Sequence, residues 1–167
     1  VAVMIPVGFA MTYRGKTLNI WDGTTNALYS SHKLAGIILL ALVLVRFGYR
    51  LVRGAPADEP TLEPLQRIAS HVVHWLLYLL LIAMPIIGWF GVSMFPALDI
   101  FGLFKLPALT SPSSEGAKLA LYVHGLCAFA LLGLIGAHVG AALFHYFVRG
   151  DGVLTRMLPS ITPRRGG

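Results

Sequence analysis

The chain is expected to be an all-α membrane protein, a bundle of four transmembrane helices, and three observations lead there. Of its 167 residues, 56% are hydrophobic and 12% charged, with a mean hydropathy of +0.74, whereas a soluble domain carries about 25% charged residues. The apolar residues gather into four runs, at about 1–13, 32–52, 72–95 and 119–148. Within the fourth run His124 and His138 stand fourteen residues apart, a spacing that returns to nearly the same helix face ~21 Å further along.

The first run, VAVMIPVGFAMTY, is thirteen residues long and as a helix would reach only ~20 Å of a ~30 Å hydrocarbon core. It has no initiating Met, no basic leader and no small-residue cleavage site, so it does not fit a signal peptide. The expectation is a first membrane helix that is truncated here and begins upstream of Val1. The second, third and fourth runs are each long enough to span. They are joined by segments 14–31, 53–70 and 99–118, which are polar or rich in Pro, Gly and Ser. Residues 149–167 form a basic tail with Pro159 and Pro163 that is expected to fray in solvent. Four spans leave no length for a separate soluble domain, so 1–167 is read as one integral-membrane unit.

The net charge of +6 is explained by topology, with no nucleic-acid partner implied. Arg46, Arg50, Arg53, Arg67, Arg149, Arg156, Arg164 and Arg165 fall on one side, and Arg14, Lys16, Lys33, Lys105 and Lys118 on the other. The positive-inside bias places the arginine-rich side and both termini in the cytoplasm. Trp21, Trp75 and Trp89 lie near span ends, as interfacial aromatics do. Cys127 is the single cysteine, and no CxxCH motif is present, which excludes covalently attached c-type haem.

Buried imidazoles in lipid call for a reason. His32 opens the second run and His124 lies near the start of the fourth, so both fall at the outer depth on different helices. That is the arrangement a six-coordinate b-type haem requires of its axial ligands. His138 lies deeper and suggests a second haem; the alternative is imidazoles hydrogen-bonded to neighbouring helices. Gly36, Gly125, Gly133, Gly136 and Gly140 would let a flat macrocycle approach the backbone, or would serve ordinary close helix packing. His71 and His74 open the third run and read as too shallow to meet His138. Its partner is therefore expected within a turn or two upstream of Val1. His145, one heptad beyond His138, suits a quinone contact or proton donor, with His74 and Trp75 lining the same region.

The segments MTYRG, SSHKLAG, HVVHWLLYLLLIAMPIIGW and HGLCAFALLGLIGAHVGAALFHYFVRGDGVLTRMLP together resemble the bacterial cytochrome b561 family, most closely its superoxide:ubiquinone oxidoreductase branch. The resemblance implies a bacterial inner-membrane protein with two haem b groups. His32 and His124 match the outer haem's ligands and His138 one inner ligand, the other belonging to the first helix. It further implies that superoxide is oxidised at the periplasmic side and ubiquinone reduced near the cytoplasm. Lys33, beside His32, and Lys118, shortly before His124, are the candidates for steering the superoxide anion. Two other readings stand beside this one. The chain could be an electron-transfer subunit linking a redox partner protein to the quinone pool. It could also be a non-redox bundle or metal transporter, a reading weakened because no paired intramembrane carboxylates occur.

Overall fold

The computed structural model describes residues 1, 3–54 and 56–154. Four helices run through it: α1 (Met4–Thr12), α2 (Gly23–Arg53), α3 (Pro64–Met94) and α4 (Ser114–Phe144). The connection between α3 and α4 holds a small antiparallel hairpin of β1 (Asp99–Ile100) and β2 (Phe104–Lys105). The segments Gly23–Arg53, Pro64–Met94 and Ser114–Arg149 are long and apolar enough to cross a membrane. A 31-residue helix is ~46 Å long and so outreaches the ~30 Å hydrocarbon core at its ends.

Each long helix begins well before the apolar run it contains, by five to nine residues relative to 32, 72 and 119. Hydropathy marks where lipid contact begins, whereas the helix starts where a polar cap satisfies its first N–H groups. Asp22 accepts from the Thr25 amide at 2.8 Å, and Ser113 accepts from the Gly116 amide at 3.2 Å. At α3, Pro64 stands in the first turn and the Gln66 side chain accepts from the Glu63 amide at 3.1 Å. Two helices also end in wider π-helical turns, Tyr13–Thr17 after α1 and His145–Arg149 after α4.

Helices α3 and α4 form the most extensive pairing, with α1 against α2 and α2 against α3. Phe9 of α1 meets Phe129 of α4 with ring centroids 5.2 Å apart, which closes the ring of four. Close approach of α3 and α4 depends on small residues: a Cβ on Gly91 would lie 2.7 Å from Leu121 Cδ2, and one on Gly116 would strike Met94. Leu42, Val45, Leu79 and Leu119 are exposed, as side chains facing lipid are.

The buried polar side chains among the described residues are Thr25, Ser30, Ser93 and His145, and all sit near helix ends, where they hold loops. Arg14 Nε donates to Thr25 Oγ1 at 3.1 Å. Ser30 Oγ accepts from the Phe101 amide at 3.1 Å and Ser93 Oγ from the Leu109 amide at 3.2 Å. Lys33 joins this set: its Nζ donates to the carbonyl of Ala97 at 2.8 Å and to that of Asp99. These bonds fasten the hairpin connection across the end of α2.

The start of the tail differs from the fraying expected of it. Gly150 adopts φ 66°, a left-handed turn natural to glycine, and it sends Asp151 back against His145 with a side chain only 6% exposed. Residues 155–167 lie outside the described residues.

Because hydrogen bonds from a charged donor contribute about 1.5–3 kcal/mol each, Lys33→Met should loosen the hairpin connection. Limited proteolysis should then cut within residues 96–112 faster than in the parent protein. An unchanged cleavage rate would show that Lys33 does not hold the loop.

Candidate functional site

The site is built where α1, α2, α3 and α4 meet at one end of the bundle. A cavity of about 1040 Å³ is lined there by Gly8 of α1, His32 and Gly36 of α2, Gly88 of α3, and His124 and Gly125 of α4. The His32 and His124 rings face each other across helices with centroids 6.0 Å apart, at an interplanar angle of 78°. Metal–imidazole bonds of about 2 Å place two axial imidazole centroids roughly 6 Å apart, so this spacing suits a metal held between the rings.

The nitrogens agree with that use. His124 Nδ1 donates to the Met84 carbonyl at 2.9 Å, which fixes the tautomer and leaves Nε2 as the free lone pair. A metal-ligating histidine characteristically has its other nitrogen engaged in this way. His32 Nδ1 is buried with no hydrogen-bond partner among the described residues, and burying such an atom without a partner costs about 1–3 kcal/mol. Glycines supply the room. A Cβ on Gly88 would lie 2.9 Å from His124 Cε1, and one on Gly8 would lie 3.2 Å from His32 Cε1. Gly125, by contrast, has no atom within 4 Å of where its Cβ would be, so the cavity wall beside His124 is open. The donor set, the spacing and the open walls fit a b-type haem. Gly36 and Gly125 line this cavity as expected, whereas Gly8 and Gly88 were not evident in the sequence. Their role depends on which helix faces each imidazole, and periodicity does not show that.

Further along α4, His138 meets His74 of α3 with ring centroids 5.2 Å apart. The shallow depth expected of His74 is thus corrected. Because α3 begins at Pro64, His74 lies nearly three turns inside the helix and level with His138. A Cβ on Gly133, Gly136 or Gly140 would meet no atom within 4 Å, so the backbone of α4 is open on either side of His138. His71 remains at the edge, paired with Asp58 at 3.0 Å.

The residues expected to line a quinone site, Trp75 and His145, have separate contacts. Trp75 packs with Phe47 and Tyr78 at centroid distances of 6.1 and 6.3 Å and lies under the Arg50 guanidinium at 5.5 Å. His145 is buried, with Nδ1 2.6 Å from Asp151 Oδ2. Among the described residues no hydrogen bond or ring contact joins Trp75 to His145.

The two steering lysines are both engaged. Lys33 fastens the hairpin connection, and Lys118 pairs with Glu115 at 2.7 Å on the exposed surface. Lys16 lines the cavity together with Lys33, and of the two it is the exposed one. It had appeared in the sequence as one basic residue among five on that side. Only the fold distinguishes it, because the π-helical turn after α1 carries it over the mouth.

Gly88→Ala should displace the His124 ring, since the new methyl cannot coexist with its present position. The expected result is a lowered haem-to-protein ratio and an altered reduced-minus-oxidised spectrum, with Gly48→Ala, outside the cavity lining and meeting no atom within 4 Å, as the silent comparison. A Gly88→Ala protein with the parent spectrum would show that the His124 position is not critical.

Comparison with known proteins agrees with this arrangement. The family described as prokaryotic cytochrome b561 matches residues 1–160. The chain is 30% identical to cytochrome b561 homolog 2 of Escherichia coli (strain K12) over 158 residues, covering 94% of this chain and 84% of that protein. It is 29% identical to cytochrome b561 homolog 1 of the same organism over 154 residues, covering 90% and 88%. It is 35% identical to the "Probable superoxide oxidase CybB" of Yersinia pestis over 132 residues, covering 77% and 73%. The chain therefore belongs to the prokaryotic cytochrome b561 family, and it is a multi-pass membrane redox protein of the haem b class.

Proposed function

We propose that this protein is a di-haem cytochrome b of the bacterial inner membrane that oxidises superoxide at the His32/His124 end and reduces ubiquinone at the His145 end. The observation that carries the reading is the presence of imidazole contacts at two depths along α4, at His124 and at His138, which stand ~21 Å apart along the helix. His32 and His124 would hold one haem. His138 would hold the second, with the His74 ring facing it. Haem b supplies a one-electron iron couple at each position.

The chemistry balances as two half-reactions. Two superoxide anions each lose one electron and leave as dioxygen, while ubiquinone gains two electrons and two protons to become ubiquinol. Superoxide as donor is supported by the open cavity with Lys16 at its rim and by the likeness to the Yersinia pestis protein. An exposed cation at such a mouth raises the local concentration of a small anion. The positive-inside bias supports placing this end outside and both termini in the cytoplasm.

Charge reversal tests the donor. Lys16→Glu should slow reduction of the haem by superoxide roughly threefold to tenfold and flatten its salt dependence, because exposed charges act over ~8–10 Å at physiological ionic strength. Lys118→Glu should change less, since Lys118 is not among the residues lining the cavity. A superoxide rate indifferent to both Lys16→Glu and salt would instead favour a protein electron donor docking at this end.

A further inference from the structure

At the opposite end of α4 a second buried constellation stands apart from both imidazole contacts. His145 Nδ1 and Asp151 Oδ2 are 2.6 Å apart, with side chains 8% and 6% exposed. Asp151 also receives Thr61 Oγ1 at 3.4 Å and the Val153 amide at 3.2 Å, and Arg149 Nε lies 4.0 Å away. Arg149 in turn reaches Gln66 Oε1 at 2.9 Å and Glu63 Oε1 at 3.6 Å on the first turns of α3. Glu59 of the α2–α3 connection lies beside Gly152.

A buried ion pair is a weak way to stabilise a fold, because its desolvation cost offsets most of its attraction. Holding the chain end against α3 would be served equally well by apolar contacts. The pair does, however, leave one ring position open. With Nδ1 committed to Asp151, Nε2 of His145 makes no hydrogen bond among the described residues. It lies one heptad, ~10 Å along the helix axis, beyond His138.

We infer that His145 and Asp151 form the proton-delivering pair for quinone reduction, with His145 giving its Nε2 proton to a quinone oxygen and Asp151 holding the imidazolium through Nδ1. The inference rests on the reading of ubiquinone as electron acceptor. For each ubiquinol formed, two N–H bonds at Nε2 break in succession and two O–H bonds form. The two electrons come from two superoxide anions, and water at the end of the bundle reloads His145 after each transfer. His145 is the catalytic residue, and Asp151 is a positioning residue. Burial by itself raises the Asp151 carboxyl, but the hydrogen bonds from His145 and the Val153 amide, with the charges of His145 and Arg149, outweigh it and hold the group below 3.8. Asp151 is therefore an anion at neutral pH and accepts the hydrogen bond from Nδ1.

The test uses purified, pre-reduced protein mixed with a short-chain ubiquinone, with haem reoxidation followed optically. His145→Gln and Asp151→Asn should slow reoxidation by about tenfold or more, within the range of general acid catalysis, while the haem spectrum and the rate of reduction by superoxide stay as in the parent. Asp151→Glu, which keeps the carboxylate, should restore the rate. If ubiquinone does not reoxidise the parent protein, the quinone reading fails and this assignment fails with it. If the parent is reoxidised and both variants match its rate, the pair's role alone is overturned. Should Asp151→Asn not fold, His145→Gln and Asp151→Glu decide, and parent-like reoxidation in His145→Gln overturns the assignment.

Discussion

The arrangement depends on presenting imidazoles across a helix gap inside an otherwise apolar bundle. An imidazole on one membrane helix faces a costly environment unless a neighbour or a metal uses its nitrogens, so the facing helix must be both close and recessed. Glycine is the residue that meets both demands. Gly8 and Gly88 give up their side-chain volume to the rings of His32 and His124. Pro85 lies in α3 between Met84 and Gly88 and, lacking an N–H, cannot complete the hydrogen bond its position would normally make to the helix backbone. At this same level the Met84 carbonyl receives His124 Nδ1. Sequence, helix phase and ring orientation are thereby linked within two turns of α3.

The helix ends determine whether those rings meet. Rotating or sliding α3 by one residue would carry Gly88 away from His124, and the phase is set outside the lipid. Asp22, Glu63 with Gln66, and Ser113 fix where the helices begin, each cap contributing about 1 kcal/mol. Lys33, Ser30 and Ser93 then hold the hairpin connection over the cavity. That assignment changes the electrostatic picture of the mouth. A lysine next to a candidate ligand is spent on structure, and the exposed charge near the opening belongs to Lys16 on a different helix.

Much of this was legible in the sequence because lipid imposes a strong pattern. The three long spans, the depth match of His32 with His124, and the alignment of His138 on the same face follow from apolar length and helical period. What was not legible turned on contacts between segments far apart in the chain. The depth of His74 was misread because hydropathy shows where α3 enters lipid, not where Glu63 and Pro64 start it. Gly8 and Gly88 looked like any membrane glycine until the helix opposite each was known. Asp151 fell in a segment read as a solvated tail, because the π-helical turn at His145–Arg149 and the left-handed Gly150 reverse the chain in a way no periodicity records.

The central claim is that α4 carries two separate haem-binding positions, one at each histidine. Haem quantification on the purified protein and on His124→Ala and His138→Ala tests it most directly, with the reduced-minus-oxidised spectrum recorded for each. The account predicts two b-type haems per chain in the parent and the loss of one, with a different spectral component missing, in each variant. Two haems retained in either variant, or the same component lost from both, would contradict it.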